Sequence, residues 1–250
     1  MTISRDRLKR ESLEGPASIG EFFALGRFYS IDRIPFVGPD AGHRPIKIGL
    51  FSGVHGDEPA GPEALREFLR SLERYPEKAA GYDLSVYPVA NPTGAEKGTR
   101  ENWAGKDLNR EFWRGSPQRE VRIIEAELET AQFDGIITLH ADDTCEGHYG
   151  YTHGRAVEDS LLRPALEAAE RVLPRDNRPM IDGFSASHGV INDCFEGILS
   201  PPPVQRPRPF NLIFETPAGA PPHLQVAAHV AALEAILATY RAYISYGQGL

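Results

Sequence analysis

Short apolar segments bounded by turn residues recur along this chain and alternate with longer stretches of helical periodicity. The clearest of these segments are 46–51, 84–90, 135–139 and 211–214. Short, continuous apolar runs of this kind are typical of strands that are buried on both faces of a sheet. Strands that alternate with helices predict an α/β fold, in which a central, mostly parallel or mixed sheet is covered by helices on both faces.

Helical signals lie between these strands. Segment 65–72 places leucine and phenylalanine at intervals of three and four residues, and segments 116–117 and 221–222 have residue types that begin helices. Ser18-Ile19-Gly20-Glu21 has the form of a capping box. A further strand is expected over 148–152. The patterns predict helices over 18–27, 58–73, 116–130 and 157–172, the last with a kink at Pro164, and one from 221 onward.

The predicted domain organisation follows from the absence of a linker between these elements. No linker rich in glycine, serine or charge divides the 250 residues. We therefore expect one domain over 1–250, with the motifs that carry chemistry between 46 and 219. The polar stretch 93–115 is longer than the usual connection, which predicts a functional loop.

Charge and composition limit the partners. The net charge of -8 argues against nucleic acid, because phosphate binding needs a concentrated basic surface. No run of eighteen apolar residues occurs, and the first fifteen residues carry seven charges without an apolar core, so we expect neither a membrane span nor a secretory signal. Two cysteines, Cys145 and Cys194, make no disulfide framework, and a cytoplasmic location is the simplest prediction. Small molecules or peptides remain as partners.

Polar groups follow each of the four apolar strands. His55 and Glu58 come after the first, Asn91-Pro92 ends the second, and His140 and Glu215 directly follow the third and fourth. In open α/β sheets, ligands bind beyond the carboxyl ends of the strands. The sequence therefore predicts a catalytic site at this edge of the sheet.

The residue types at that edge suit a metal. His55 and Glu58 are three residues apart, which brings an imidazole and a carboxylate to the same side of a tight loop or helical turn. With His140 they form a two-histidine, one-carboxylate set, a pattern of catalytic zinc sites that leaves a fourth position for water. An isolated H-x-x-E is also common on surfaces, and a lone histidine often lies satisfied in a core. The position after buried strands favours one zinc ion per chain, and a second ion through Asp57, Asp142 or Asp143 is a weaker alternative.

Other chemistries have less support. The chain has no G-x-S-x-G, P-loop, G-x-G-x-x-G or H-E-x-x-H motif. Cys145 and Cys194 lack the local signature of a nucleophile, and small buried thiols are the better interpretation. His148 and His188 stay open as residues that line the pocket.

Five ordered segments, GVHGDEPAG, NPTGAEKGTR, GKDLNREF, ITLH and FETPAG, together resemble the zinc carboxypeptidase superfamily. The likeness is closer to its bacterial peptidase and succinylglutamate desuccinylase/aspartoacylase-like branches. The resemblance implies the following roles: His55, Glu58 and His140 as zinc ligands, Arg100 as the group that polarises the scissile carbonyl, Asn109 and Arg110 as the grip on a substrate carboxylate, and Glu215 as the base that activates water.

The chain also departs from the carboxypeptidases proper. Those enzymes place a mobile tyrosine between the third ligand and the base. Here that interval contains only Tyr149 and Tyr151, both close to His140, and neither is a clear counterpart. Ala141-Asp142-Asp143 stands where they often have Ser-Tyr. No room is expected for the extra β-domain of the aspartoacylase branch.

The expected function is that of a zinc-dependent hydrolase, which cleaves an amide bond next to a free carboxylate in a small peptide. A deacylase of N-acyl amino acids is the alternative enzyme, and a non-catalytic binding module of the same fold is less favoured. Arg206 and Arg208 either favour acidic substrates or are simply solvated. The sequence gives no indication of the oligomeric state.

Overall fold

One eight-stranded mixed sheet organises residues 15–248, the part of the chain that the computed structural model describes. Its order is β1-β2-β4-β3-β5-β10-β6-β9. A small separate hairpin pairs β7 with β8. The strands are β1 (Ala17–Ala24), β2 (Arg27–Val37), β3 (Ile46–Phe51), β4 (Tyr82–Tyr87), β5 (Gly135–Asp142), β6 (Tyr149–Thr152), β7 (Met180–Ile181), β8 (Phe184–Ser185), β9 (Val190–Ile191) and β10 (Phe210–Pro217).

The four central strands, β4, β3, β5 and β10, run parallel. They are the four strands that the apolar segments predict, so the predicted sheet is confirmed. Antiparallel neighbours flank them, with β2 on β4 and β6 on β10. The carboxyl ends of the parallel strands therefore meet at one edge of the sheet, and the chain's polar motifs follow at that edge.

Helices cover both faces of the sheet, as the alternation predicts. One face packs against α1 (Ala60–Arg74), α5 (Arg163–Ala169) and α6 (Pro222–Gln248) around Leu65, Leu166 and Leu233. The other packs against α3 (Arg119–Ala131) around Ile124 and Leu128. No helix within residues 15–248 is long and apolar enough to cross a membrane. The helices are α1 (Ala60–Arg74), α2 (Pro92–Lys97), α3 (Arg119–Ala131), α4 (Arg155–Val157), α5 (Arg163–Ala169) and α6 (Pro222–Gln248), with 3₁₀ turns at Pro76–Ala79 and Leu108–Arg110.

The helix predicted over 18–27 is wrong, because this segment forms the antiparallel hairpin of β1 and β2. Leu25 and Gly26 form its two-residue turn, and both have positive φ, at 51° and 81°. A turn of this kind matches the twist of the flanking strands. Alternate residues such as Phe22 and Ala24 are buried, so a pattern of period two outweighs the capping-box signal.

The remaining helices occur where the sequence places them, with shifted ends. Helix α1 begins at Ala60 rather than at 58, so Glu58 lies in the loop before it. Helix α3 begins at Arg119, and Ser116 accepts a hydrogen bond from the Gln118 amide instead of capping the helix. The kink predicted at Pro164 takes the form of a π-helical turn over Glu158–Leu162 between α4 and α5. Proline lacks the N–H that a regular helix would use there.

His148 occupies the core behind the sheet rather than a pocket. It is fully buried, and its ring stacks on Phe214 with 5.6 Å between the ring centroids. Burial and the charge of Arg175 lower the pKa of His148 to about 4. The folded protein therefore holds this histidine neutral at a pH where an unfolded chain would protonate it.

We expect His148 to make the protein sensitive to acid. The unfolded chain takes up this proton near its ordinary pKa of about 6.5, so the free energy of unfolding should fall as the pH drops from about 6.5 to about 4, by roughly 3 kcal/mol in total. His148→Leu should remove this part of the slope. Urea unfolding of chelator-treated protein across this pH range measures it, and equal slopes in the variant and the parent would contradict the assignment.

Candidate active site

The register of the sheet places two of the predicted site residues side by side. In the parallel pair of β5 and β10, His140 lies opposite Glu215. On the other side of β10, Tyr149 of β6 pairs with Glu215 in antiparallel register. Adjacent strands lie about 4.8 Å apart, so these three residues form one row at the carboxyl edge.

The loop after β3 brings His55 and Glu58 to the same edge. Close contact with the first turn of α2 holds this loop, since a side chain at Gly56 would lie 1.9 Å from the backbone of Gly94. The Gly56 amide also donates to the carbonyl of Thr99. Only glycine allows this approach, which explains the glycine after His55.

The three predicted metal ligands form one buried cluster. The candidate ligand atoms of His55, Glu58 and His140 all lie within 4.8 Å of one another. His55 Nδ1 lies 2.5 Å from Glu58 Oε1, and His140 Nδ1 lies 2.9 Å from Glu58 Oε2. The Ala141 amide also donates to Glu58 Oε2, over 3.1 Å.

Asp107 fixes the orientation of His55 and was missed in the sequence, where Asp-Leu-Asn-Arg has the appearance of a turn. Its Oδ1 lies 3.0 Å from His55 Nε2 and also accepts from the Asn109 amide. When His55 donates its Nε2 proton to Asp107, Nδ1 carries a lone pair toward Glu58. Two such atoms 2.5 Å apart repel each other unless a proton or a metal ion lies between them, and the donor set of two imidazoles and one carboxylate fits a metal ion.

The electrostatics of Glu58 and His140 favour the protonation states that bind metals, whereas His55 holds a proton more tightly and would have to lose it to bind one. Burial alone would raise the pKa of Glu58, but His140 and His55 outweigh it and lower this pKa to about 2. Burial lowers the pKa of His140. For His55 the same burial is outweighed by Asp107 and Glu58, which raise its pKa. An ionised carboxylate and a neutral imidazole are the metal-binding forms.

Arg100 reaches the cluster from the loop after α2. Its guanidinium lies 3.2 Å from Asp107 Oδ2 and 3.7 Å from Glu58 Oε1. Its side chain is 42% exposed, so the same group also faces the cavity. In this position the guanidinium could stabilise negative charge on a group bound in the cavity next to His55 and Glu58.

Asn109 and Arg110 lie on the 3₁₀ turn that Asp107 caps. The side-chain oxygen of Asn109 accepts from the Leu199 amide over 2.9 Å. The guanidinium of Arg110 lies over the ring of Phe195, with 4.0 Å from Cζ to the ring centroid. No carboxylate within residues 15–248 pairs with Arg110, so its fork can bind a planar anion.

Glu215 differs from Glu58 in its electrostatic environment. Burial, together with the charges of Glu58, Asp142 and Asp182, raises the pKa of Glu215 well above its ordinary value. A raised pKa makes a carboxylate a stronger base than an ordinary one. Glu215 therefore has the chemistry of a general base.

Two tyrosines line the cavity from β6. Tyr149 donates to Asp142 Oδ2 over 3.0 Å, and Tyr151 donates to Asp182 Oδ2 over 2.6 Å. Asp182 was missed in the sequence. It lies in the turn between β7 and β8 with φ of 48°, and its Asp182-Gly183 pair is a recognised hairpin signal that could have placed it.

Most of the predicted site residues line one cavity of about 350 Å³. His140 is buried next to Glu58 and does not line the cavity, and neither His148 nor His188 lines it. Cys194 lines it and Cys145 lies close by, but burial raises the pKa of both thiols, which agrees with inert cysteines. The predicted residues that line the cavity are His55, Glu58, Arg100, Asn109, Arg110 and Glu215, together with Asp142 and Asp143.

Residues 46–173 match the model of the succinylglutamate desuccinylase/aspartoacylase catalytic domain. The chain belongs to this family. No curated protein sequence matches it. Family and fold together place the chain in the general class of metallocarboxypeptidase-like hydrolases, which confirms the resemblance found in its motifs.

Solved structures support this assignment. A candidate metallopeptidase of Shewanella denitrificans OS217 is 26% identical, with a TM-score of 0.75 over 90% of this chain and 83% of the other. Its counterpart from Shewanella amazonensis SB2B is 27% identical, with a TM-score of 0.76 over 93% and 87%. A metallo-carboxypeptidase of Burkholderia cenocepacia shares the fold at 16% identity, with a TM-score of 0.72 over 95% and 67%.

Asp107→Asn should weaken metal binding, because the amide cannot accept from His55 in the same way and the tautomer of His55 is then less well fixed. Loss of such a partner typically costs about ten- to a hundred-fold in metal affinity. Competition with a chromogenic chelator measures the zinc dissociation constant. Asp143→Asn, which removes an exposed carboxylate from the same cavity, is the control and should bind zinc as the parent does.

Proposed function

We propose that this protein is a zinc-dependent hydrolase that cleaves an amide bond next to a free carboxylate, in a small peptide or an acyl amino acid. The observation that carries the proposal is the arrangement of three groups in one cavity: the buried cluster of His55, Glu58 and His140, the carboxylate of Glu215 and the unpaired guanidinium of Arg110. They correspond to a metal site, a base and an anchor for an anion.

The buried cluster would hold one metal ion, with zinc as the proposed metal. A bound zinc ion would lower the pKa of a water molecule to about 7 and polarise the substrate carbonyl. Asp107 keeps His55 in the tautomer that presents Nδ1, and the Ala141 amide holds the carboxylate of Glu58 in place.

The other side chains supply proton transfer and charge stabilisation. Glu215 takes the proton of the attacking water and passes it to the leaving amine, for which its raised pKa is suited. Arg100 lies next to Glu58 and would face the negative charge that develops on the carbonyl oxygen. Arg110 and Asn109 would hold the substrate carboxylate and so place the amide bond at the metal site.

A deacylase and a peptidase would both use this arrangement. The family match favours the deacylase, because its model describes a desuccinylase/aspartoacylase catalytic domain, whereas the similar Shewanella structures are candidate metallopeptidases. A panel of dipeptides beside a panel of N-acyl amino acids distinguishes them. Turnover on neither panel by the zinc-loaded protein would favour a binding module instead.

Glu215→Gln should retain the fold and about one zinc per chain, while kcat falls by roughly 10²–10⁴. Glutamine matches the shape of the carboxylate but cannot accept the proton. Elemental analysis and steady-state kinetics on one active substrate measure the two quantities, and His140→Ala, which should lose the metal as well, is the comparison. A near-normal kcat in Glu215→Gln would transfer the role of base to Asp142 or Asp143.

The carboxylate anchor can be tested with a substrate and its amidated twin. Loss of the charge that pairs with a partly buried arginine costs about 2–5 kcal/mol, so amidation should lower kcat/KM by between about thirty-fold and about three-thousand-fold. Arg110→Ala should remove most of this preference, and Arg122→Ala, an exposed arginine on α3, should retain it. If the parent cleaves both substrates equally well, the anchoring role of Arg110 is wrong while the zinc hydrolase itself can still be correct.

A further inference from the structure

A second cavity of about 700 Å³ adjoins the first. Cys194, Phe195 and Ile198 line both cavities and form a partition between them. The two cavities also share one face of β10, since Ile213 lines the first and Asn211 lines the second. Alternate residues of a strand point to the same face about 7 Å apart, so the second cavity continues the first along β10.

Most of the residues that line the second cavity are apolar, and the cavity has the size of a ligand site. Phe112, Trp113 and Phe210 contribute aromatic rings, and three prolines add further apolar surface. Cavities of about 300–1,000 Å³ with such linings typically hold small molecules. An apolar group of a ligand would therefore be desolvated here.

Two arginines give this cavity a net positive charge, because the third arginine of its lining, Arg114, pairs with the carboxylate of Glu196 over 2.8 Å. Arg206 and Arg208 both line it, and within residues 15–248 neither forms an ion pair with a carboxylate. Arg206 donates only to the backbone carbonyls of Pro203 and Gln205, which leaves further donors available. In a chain with a net charge of -8, two unpaired arginines around an apolar cavity favour an anionic ligand.

Phe195 connects this cavity to the substrate anchor. Its ring packs against the guanidinium of Arg110 and lines the second cavity as well. A ligand that is held by Arg110 and extends past Phe195 would enter the second cavity directly. Its far end would then meet Arg206 and Arg208.

We propose that the second cavity is a further substrate subsite, which binds an apolar group that ends in a carboxylate. The substrate class is then a dicarboxylate, in which an apolar spacer separates the carboxylate at Arg110 from the one at Arg206 and Arg208. The identity of the first carboxylate rests on the proposed function. Binding in the second cavity does not, and it can be measured without turnover.

The fluorescence of Trp113 reports on the second cavity. The chain has two tryptophans, and Trp103, which is 44% exposed, lines neither cavity. In a Trp103→Phe background, titration with 4-phenylbutyrate should give a saturable change in Trp113 emission. Its neutral twin, 4-phenylbutanamide, should bind about five-fold to thirty-fold more weakly, as expected for the loss of two exposed charge contacts.

The double variant Arg206→Gln/Arg208→Gln should weaken 4-phenylbutyrate by a similar factor. Arg44→Gln/Arg171→Gln changes the net charge equally at two exposed positions away from both cavities, and should bind the acid as the parent does. Arg110→Ala should weaken the acid less than Arg206→Gln/Arg208→Gln does. Equal binding of acid and amide, no effect of the first double variant, or a dependence on Arg110 alone would each overturn the subsite.

Calorimetry with sebacate, an alkyl dicarboxylate, tests the bridge between the two cavities. Its affinity should fall both in Arg110→Ala and in Arg206→Gln/Arg208→Gln. Loss in the double variant alone would overturn the dicarboxylate substrate. A protein that hydrolyses nothing but shows the full fluorescence pattern would refute the proposed function and retain the subsite.

Discussion

The carboxylate of Glu58 joins two parts of the chain that are distant in sequence, the loop after β3 and the end of β5. One oxygen faces His55 from the loop after β3, and the other accepts from the Ala141 amide and faces His140 at the end of β5. A buried, ionised carboxylate is costly unless cations or hydrogen-bond donors surround it. The site therefore has its geometry only when the parallel register of β3 and β5 is formed, and a bound metal ion would stabilise that register in return.

The same edge keeps two carboxylates in different states. Glu58 lies among imidazoles, which hold its pKa low, whereas Glu215 lies in the row beside it and has other carboxylates as its neighbours. Pairs of titratable groups whose surroundings move their pKa values apart commonly divide the roles of ligand and base. The difference arises from the groups that surround each carboxylate, since both residues have the same side chain.

The central strands were predictable because short apolar runs have few alternatives. The clustering of His55, Glu58 and His140 was predictable because each follows such a run. The helix predicted over 18–27 is wrong because its capping signal is local, whereas the hairpin that forms there depends on tertiary pairing. The two-residue turn at Leu25-Gly26 becomes favourable only when β1 pairs with β2. Asp107 and Asp182 could not be assigned for a related reason. Their roles depend on His55 and Tyr151, which are 52 and 31 residues away in the chain.

The division between strands and loops also explains where specificity can vary. His140 and Glu215 are fixed by the strand register, so their separation can change little without loss of the sheet. Arg110, Asp182 and Phe195 instead lie in turns and loops around the same cavity. Loops tolerate substitution and insertion better than the elements they connect. A fold of this kind can therefore retain the residues at its sheet edge while its loops vary, and under the proposed subsite, variation at Phe195 and at the arginines beyond it would change which substrate fits.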